Sequence, residues 1–170
     1  MIRATCVVVA DGGRARLFVM AGEEGADLRE HPRLVERGAL VNSELEVDAR
    51  ERSDDHGTGR RQMFRAGPTH GYEDRWDRES IRLKGAFARE VVEAAVRMAA
   101  ESRAYEILLV AEPRMLGLIR QHEDAFQKAH IRCTEHAADL TRLSAVELHQ
   151  RLAGVGLVPA PLSAPMAAVA

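Results

Sequence analysis

A stretch rich in arginine and aromatic residues is the part of this sequence best suited to binding a charged partner. The chain carries no acidic residue between Asp55 and Glu73. The residues of interest there are His56, Gly57, Gly59, Arg60, Arg61, Phe64, Arg65 and Tyr72. Arginines bind phosphates and aromatic rings stack on bases, so this composition predicts contact with single-stranded RNA. A solvated loop whose aromatic residues fold back on the body is the alternative interpretation.

Three carboxylates form a second candidate group because each follows a predicted strand. Asp11, Glu112 and Asp139 are expected at the C-terminal ends of strands, where ligands bind in sheets of this kind. Converging carboxylates hold Mg²⁺ in nucleases. Nucleases of this kind place an acid within the first strand, where this chain has valines at 7–9. We therefore expect Asp11 to form a turn and Glu112 and Asp139 to begin helices, with a small-ligand or structural role for the crevice as the alternative.

Other motifs for metal or cofactor binding are weak. His130, Cys133 and His136 have suitable residue types, but on a strand residues 130 and 136 face one side and residue 133 faces the other. The sequence contains no Gly-x-Ser-x-Gly elbow and no Walker or dinucleotide glycine motif. We expect no bound metal and no cofactor.

Length and composition set the class of protein. With 170 residues, 46% hydrophobic and 29% charged, the chain predicts one globular domain without a membrane span. Its net charge of −2 excludes a protein that coats nucleic acid with its whole surface. The N-terminus lacks the pattern of a signal peptide, so a cytoplasmic location is expected. Cys6 and Cys133 lie in apolar stretches and are predicted to be reduced, buried thiols.

Hydrophobic patterning predicts the element order β-β-β-α-β-α-β-α. Strands are expected at 5–10, 14–21, within 28–41, at 106–111 and at 131–136, and helices at 77–102, from 113 to about 126 with weak points at Gly117 and at 122–124, and at 144–154. The third strand, near Pro32, belongs at a sheet edge. This order predicts an α/β fold of the ribonuclease-H-like type, with a mixed five-stranded sheet and helices on its faces.

The same pattern predicts the domain organisation. Residues 1–154 are expected to form the domain, and residues 43–79 a long loop or an extended arm, because only Leu45, Val47, Met63 and Phe64 are candidates for its packing. Residues 155–170, rich in proline and alanine, are expected to be a flexible tail.

Three stretches resemble the bacterial family of host-attachment proteins. They are VVADGGRARLF at 8–18, LVAEPRMLG at 109–117 and DLT at 139–141. The family is in turn similar to the middle domain of archaeal and eukaryotic peptide-chain release factors. In that domain, a loop between the third strand and the first helix carries a Gly-Gly-Gln tip that promotes peptidyl-tRNA hydrolysis in the ribosomal peptidyl-transferase centre.

The resemblance implies that HGTGRRQ at 56–62 is the counterpart of that tip. Gln62 would then be the candidate for orienting a water molecule. Arg60 and Arg61 stand where the tip has two glycines, and their side chains obstruct close approach of the backbone. We therefore expect an accessory translation or ribosome-associated factor that binds a tRNA acceptor end or ribosomal RNA without efficient peptidyl-tRNA hydrolysis. The alternative is a host-attachment or stress-related protein-interaction module without an RNA role.

Overall fold

A five-stranded mixed sheet forms the centre of the computed structural model, which describes residues 4–21, 32–55 and 70–161. Its strands are β1 Ala4–Ala10, β2 Arg14–Ala21, β3 Arg33–Val41, β4 Ala104–Ala111 and β5 Arg132–Ala137. The spatial order is β3-β2-β1-β4-β5. β2 pairs antiparallel with β1 and β3, and β4 pairs parallel with β1 and β5. The predicted α/β class and the edge position of β3 are confirmed.

Helices cover both faces of this sheet. They are α1 Ser43–Asp55, α2 His70–Glu101, α3 Pro113–Arg120, α4 Asp124–Lys128 and α5 Ala145–Gly154. α2, α3 and α4 contribute Phe87, Ile119 and Phe126 to the core on one face, and α5 contributes Leu148 and Leu152 to the core on the other. Alternate residues of β1 enter opposite cores, which explains its continuous apolar run. None of the helices in the described part of the chain is both long and apolar enough to cross a membrane.

Local sequence signals place several helix ends correctly. Pro113 occupies the first turn of α3, where its missing N–H costs no hydrogen bond. Ser144 caps α5 in the predicted capping box: Ser144 Oγ accepts from the Glu147 N–H at 3.3 Å, and the Glu147 carboxylate accepts from the Ser144 N–H at 2.9 Å. Of the two expected weak points, 122–124 coincides with the break between α3 and α4, whereas the one at Gly117 is wrong because α3 continues through it to Arg120.

The predicted loop over 43–79 is wrong at both ends. Residues 43–55 form α1, and α2 begins at His70 instead of at Asp77. Helical periodicity is missing from α1 because none of its described side chains, from residue 43 to residue 51, is buried. Good helix formers such as glutamate, alanine and arginine support it instead. Residues 56–69 lie outside the described residues.

The predicted flexible tail is also wrong in its first part. Val158 is buried against the core beside α5. The N–H of Leu157 donates to the carbonyl of Leu152 at 3.0 Å, and Nε2 of the buried His149 lies 2.8 Å from the carbonyl oxygen of Pro159. These contacts attach the chain as far as Pro159 to α5, and residues 162–170 lie outside the described residues.

Candidate functional site

A cavity of about 470 Å³ opens at the carboxyl ends of the parallel strands β1 and β4. We name it the strand-end cleft. The turn after β1 contributes Gly12 to its floor. The α2 wall consists of Asp77, Ser80, Ile81 and Lys84. The α3 wall consists of Glu112, Arg114, Met115 and Leu118. Ligands of α/β proteins bind at this edge of the sheet, so the cleft is the candidate site that the fold itself provides.

Asp11 fixes the turn at the floor of the cleft. Its Oδ1 accepts hydrogen bonds from the N–H of Gly13 at 2.7 Å and of Arg14 at 2.8 Å. The N–H of Asp11 donates in turn to the carbonyl of Arg14 at 2.9 Å. The carboxylate therefore replaces part of the backbone pairing across the turn, which confirms Asp11 as a turn former.

Gly12 leaves room for the side chain of Lys84. A Cβ atom at Gly12 would lie 2.8 Å from Cε and 3.0 Å from Cδ of Lys84, closer than carbon atoms approach. The aliphatic stem of Lys84 thus lies directly on the turn, and Lys84 lines the cleft. Lys84 is distant from Gly12 along the chain, so the sequence alone gives no sign of this contact.

Asn42 joins the turn to α1 and α2. This buried side chain donates from Nδ2 to the carbonyls of Gly12 at 3.0 Å and Leu83 at 3.4 Å. Its Oδ1 accepts from the N–H of Leu45 at 3.3 Å, as a helix N-cap does. Sequence analysis missed Asn42, although an asparagine directly before the acidic first turn of α1 is an N-cap signal.

The three predicted strand-end carboxylates do not converge. Asp11 Oδ2 and Asp139 Oδ1 lie 2.9 Å and 3.0 Å from the hydroxyl of the buried Thr141, whereas Glu112 lines the strand-end cleft. The Thr141 hydroxyl therefore lies between the two carboxylates, and its single proton can be donated to either of them. Within the described ranges no group of three or more histidine, cysteine or acidic residues has the arrangement of a metal site.

The prediction that Glu112 and Asp139 begin helices is confirmed for Glu112 and wrong for Asp139. Asp139 does not begin a helix, because α5 starts at Ala145 and Asp139 instead contacts Thr141 through its side chain. Glu112 occupies the N-cap position of α3 as expected, but its side chain makes no capping hydrogen bond. Its carboxylate is thereby left at the wall of the cleft.

Arg16 holds the segment that contains Thr141 against the sheet. Its guanidinium forms two hydrogen bonds with the Glu36 carboxylate, at 2.7 Å and 3.0 Å, and also donates to the carbonyls of Thr141 and Leu143. It lies 5.0 Å from the ring centroid of Phe18, within the range of a cation–π contact. The hydrogen bond from Arg16 lowers the pKa of Glu36. This network is structural, since both charges are already paired.

Both cysteines carry poorly reactive thiols. Cys6 is buried and Cys133 half-buried, and neither forms a disulfide. Burial raises the pKa of each thiol to about 11. Since the thiolate is the reactive form, neither residue is a candidate nucleophile.

The predicted RNA-contact residues adjoin a helical arm. His56, Gly57, Gly59, Arg60, Arg61, Gln62, Phe64 and Arg65 lie outside the described residues, and Tyr72 lies in the first turn of α2. The first buried side chain described on α2 is Leu83. Residues 70–82 of α2 span about 20 Å at a rise of about 1.5 Å per residue. We name these residues and α1, which share a groove along their sides, the helical arm.

Together the fold and the cleft define a ribonuclease-H-like α/β domain with the helical arm between β3 and β4. The family model described as "Protein required for attachment to host cells" matches residues 6–152. The chain therefore belongs to this family, as the sequence resemblance implied. A comparison with curated proteins gives no match.

Two solved structures of Ppx/GppA proteins from Aquifex aeolicus are similar to this chain. The type II variant of the Ppx/GppA phosphatase has 12% identity and a TM-score of 0.40, covering 79% of this chain and 36% of its own. A second structure of the Aquifex aeolicus Ppx/GppA family member has 12% identity and a TM-score of 0.38, covering 81% of this chain and 36% of its own. At this level of identity the likeness carries no information on activity.

Proposed function

We propose that this protein is an accessory translation factor of the cytoplasm, which binds a tRNA acceptor end or ribosomal RNA through residues 56–69. The helical arm is the observation that carries the proposal. None of its described side chains is buried, at residues 43–51 of α1 or at residues 75 and 77–82 of α2. Residues 56–69 join these two exposed helices. An arm of this kind suits a protein that reaches into a recessed RNA site.

Charge confines the RNA contact to the connection between the two helices. α1 carries acidic side chains at Glu44, Glu46 and Glu51, which repel a phosphate backbone. Residues 56–69 instead carry the arginines at 60, 61 and 65 and no acidic residue. In this proposal the arginines bind phosphates, and Phe64 and Tyr72 stack on bases.

The proposed role is binding without efficient hydrolysis. By its position in the sequence, Gln62 is the candidate for orienting a water molecule in the manner of the release-factor tip. Arg60 and Arg61 precede it where that tip has glycines, and their bulk keeps the backbone away from an ester bond. Ribosome rescue support or stress-related ribosome binding fits this combination better than peptide release does.

A salt titration of RNA binding tests the proposal. Three phosphate contacts to a single strand predict a log–log slope of binding against salt of roughly −2. Replacing Arg60, Arg61 and Arg65 together with alanine is therefore expected to weaken binding about 100-fold at about 0.1 M salt and to flatten the slope. Fluorescence anisotropy of a labelled single-stranded RNA measures both quantities.

A second triple variant controls for the loss of net charge. Three exposed arginines outside the helical arm serve for this control: Arg97 near the C-terminal end of α2, Arg132 on β5 and Arg151 on α5. Their joint replacement with alanine removes the same charge and should leave the affinity for RNA within a few-fold of the wild type. Equal losses in both triple variants, or a wild-type affinity that does not depend on salt, would contradict the proposal.

A protein-interaction module is the second candidate, and the family description favours it. Proteins required for attachment to host cells need a partner, and the arm exposes the apolar side chain of Val47, which is 52% accessible. In this case the arm would bind a protein surface through this exposed face. Capture of a partner that persists after ribonuclease treatment and at high salt would favour this function over RNA binding.

A further inference from the structure

Two basic side chains of the strand-end cleft are free of ionic partners. Lys84 on the α2 wall and Arg114 on the α3 wall make no ion pair or hydrogen bond within the described part of the chain. Arg16, Arg82, Arg89, Arg120 and Lys128 bind carboxylates, whereas Arg97, Arg132 and Arg151 are unpaired among the described residues and lie on exposed surfaces. Lys84 and Arg114 differ from both groups because they line a cavity. Positive charges that face a concave surface without a partner are available to an anionic ligand.

The turn at Gly12 holds one of these charges in place. The stem of Lys84 lies against Gly12 where any larger residue would place its Cβ. Asp11 fixes the turn from one side through its hydrogen bonds to Gly13 and Arg14, and Asn42 fixes it from the other through the Gly12 carbonyl. The stem of Lys84 therefore rests on a turn that is fixed from two sides. This restriction reduces the conformational entropy that the lysine side chain loses when it binds a ligand.

The rest of the cleft combines apolar surface with polar groups. Ile81, Met115 and Leu118 provide apolar surface, and Ile81 is 60% accessible. Ser80 provides a hydroxyl, and Asp77 and Glu112 provide carboxylates that can bind the hydroxyl and amino donors of a sugar or a base. The volume of about 470 Å³ falls in the usual range for small-molecule sites.

We propose that the strand-end cleft binds a nucleoside phosphate. Lys84 and Arg114 bind the phosphate from opposite walls, and the apolar surface around Ile81 receives the base. This site goes beyond the proposed RNA contact of residues 56–69, since none of those residues lines the cleft. The nucleoside phosphate that binds the cleft can be a free nucleotide or the terminal nucleotide of an RNA chain.

Calorimetric titration with adenosine 5′-monophosphate tests the site. Lys84→Ala and Arg114→Ala are each expected to weaken binding about tenfold or more, since each removes a charge-assisted contact. Gly12→Ala is expected to weaken it similarly, because the new methyl group displaces the stem of Lys84. Gly13→Ala is the matched control: its Cβ would meet only Asp11 Oδ1, at an ordinary 3.5 Å, and binding should stay as in the wild type. Adenosine without the phosphate should bind at least tenfold more weakly than the monophosphate.

Three results would overturn the proposal: no heat of binding at a nucleotide concentration of about 1 mM, equal binding of adenosine and its monophosphate, or unchanged affinity in both Lys84→Ala and Arg114→Ala.

A competition experiment identifies the source of the phosphate. A 5′-phosphorylated RNA that displaces the monophosphate from the Arg60, Arg61 and Arg65 triple variant assigns the cleft to RNA ends. A failure to displace it assigns the cleft to free nucleotides. Because this competition experiment uses the triple variant, its result does not depend on the RNA contact proposed for residues 56–69.

Discussion

Replacing Phe87 with alanine is expected to lower the free energy of unfolding by about 3–5 kcal/mol. Phe87 is 2% accessible and is the largest buried side chain among the described residues of α2, packed in the core between this helix and the sheet. Its removal loses apolar burial and leaves a cavity that the surrounding side chains fill only in part. Urea unfolding followed by circular dichroism measures the change.

Ile81 provides the control for this substitution. It lies on the same helix, but its side chain is 60% accessible. Ile81→Ala should therefore change the free energy of unfolding by no more than about 0.5 kcal/mol. Similar losses from the two substitutions would show that α2 is anchored along its whole length, and the helical arm as we define it would not exist.

Replacing Asn42 with alanine is expected to cost about 2–4 kcal/mol of folding free energy. The substitution removes the N-cap of α1 and leaves the carbonyls of Gly12 and Leu83 without the donor that Nδ2 provides. Because the site is buried, water does not freely replace that donor. Thermal and urea unfolding of the variant measure the loss.

Asn42→Ser separates the two roles of the side chain. Serine restores an N-cap acceptor for α1 but cannot reach both carbonyls with a donor. We expect it to recover about 1 kcal/mol, the usual value of a cap, and not the remainder. A loss below about 0.5 kcal/mol for Asn42→Ala would show that the asparagine does not hold the turn, α1 and α2 together.

The sheet could be predicted from the sequence because its strands carry strong, local apolar patterns. The run of valines in β1 predicts a strand buried on both faces, and the two cores confirm it. Pro113 and the Ser144 capping box mark helix starts through contacts with their immediate neighbours, so they are also visible in the sequence. Elements of this kind are fixed by residues close together in the chain.

The helical arm and most of the site could not be predicted in this way. α1 buries none of its described side chains, so hydrophobic periodicity has nothing to detect, and its support comes from helix propensity and from Asn42. Thr141 meets Asp11 across 130 positions of the chain. Lys84 likewise meets Gly12 only in the folded protein. Patterns in a single sequence do not reveal contacts between residues that are this far apart in the chain.

Co-sedimentation with purified ribosomes across a salt series measures the proposed ribosome binding itself. We expect the wild-type protein to pellet with ribosomes at low salt and to be released as salt rises. We expect pelleting to be lost when Arg60, Arg61 and Arg65 are replaced with alanine and to be retained when Arg97, Arg132 and Arg151 are replaced. If the wild-type protein and both variants all stay in the supernatant at low salt, the proposed role in translation is contradicted.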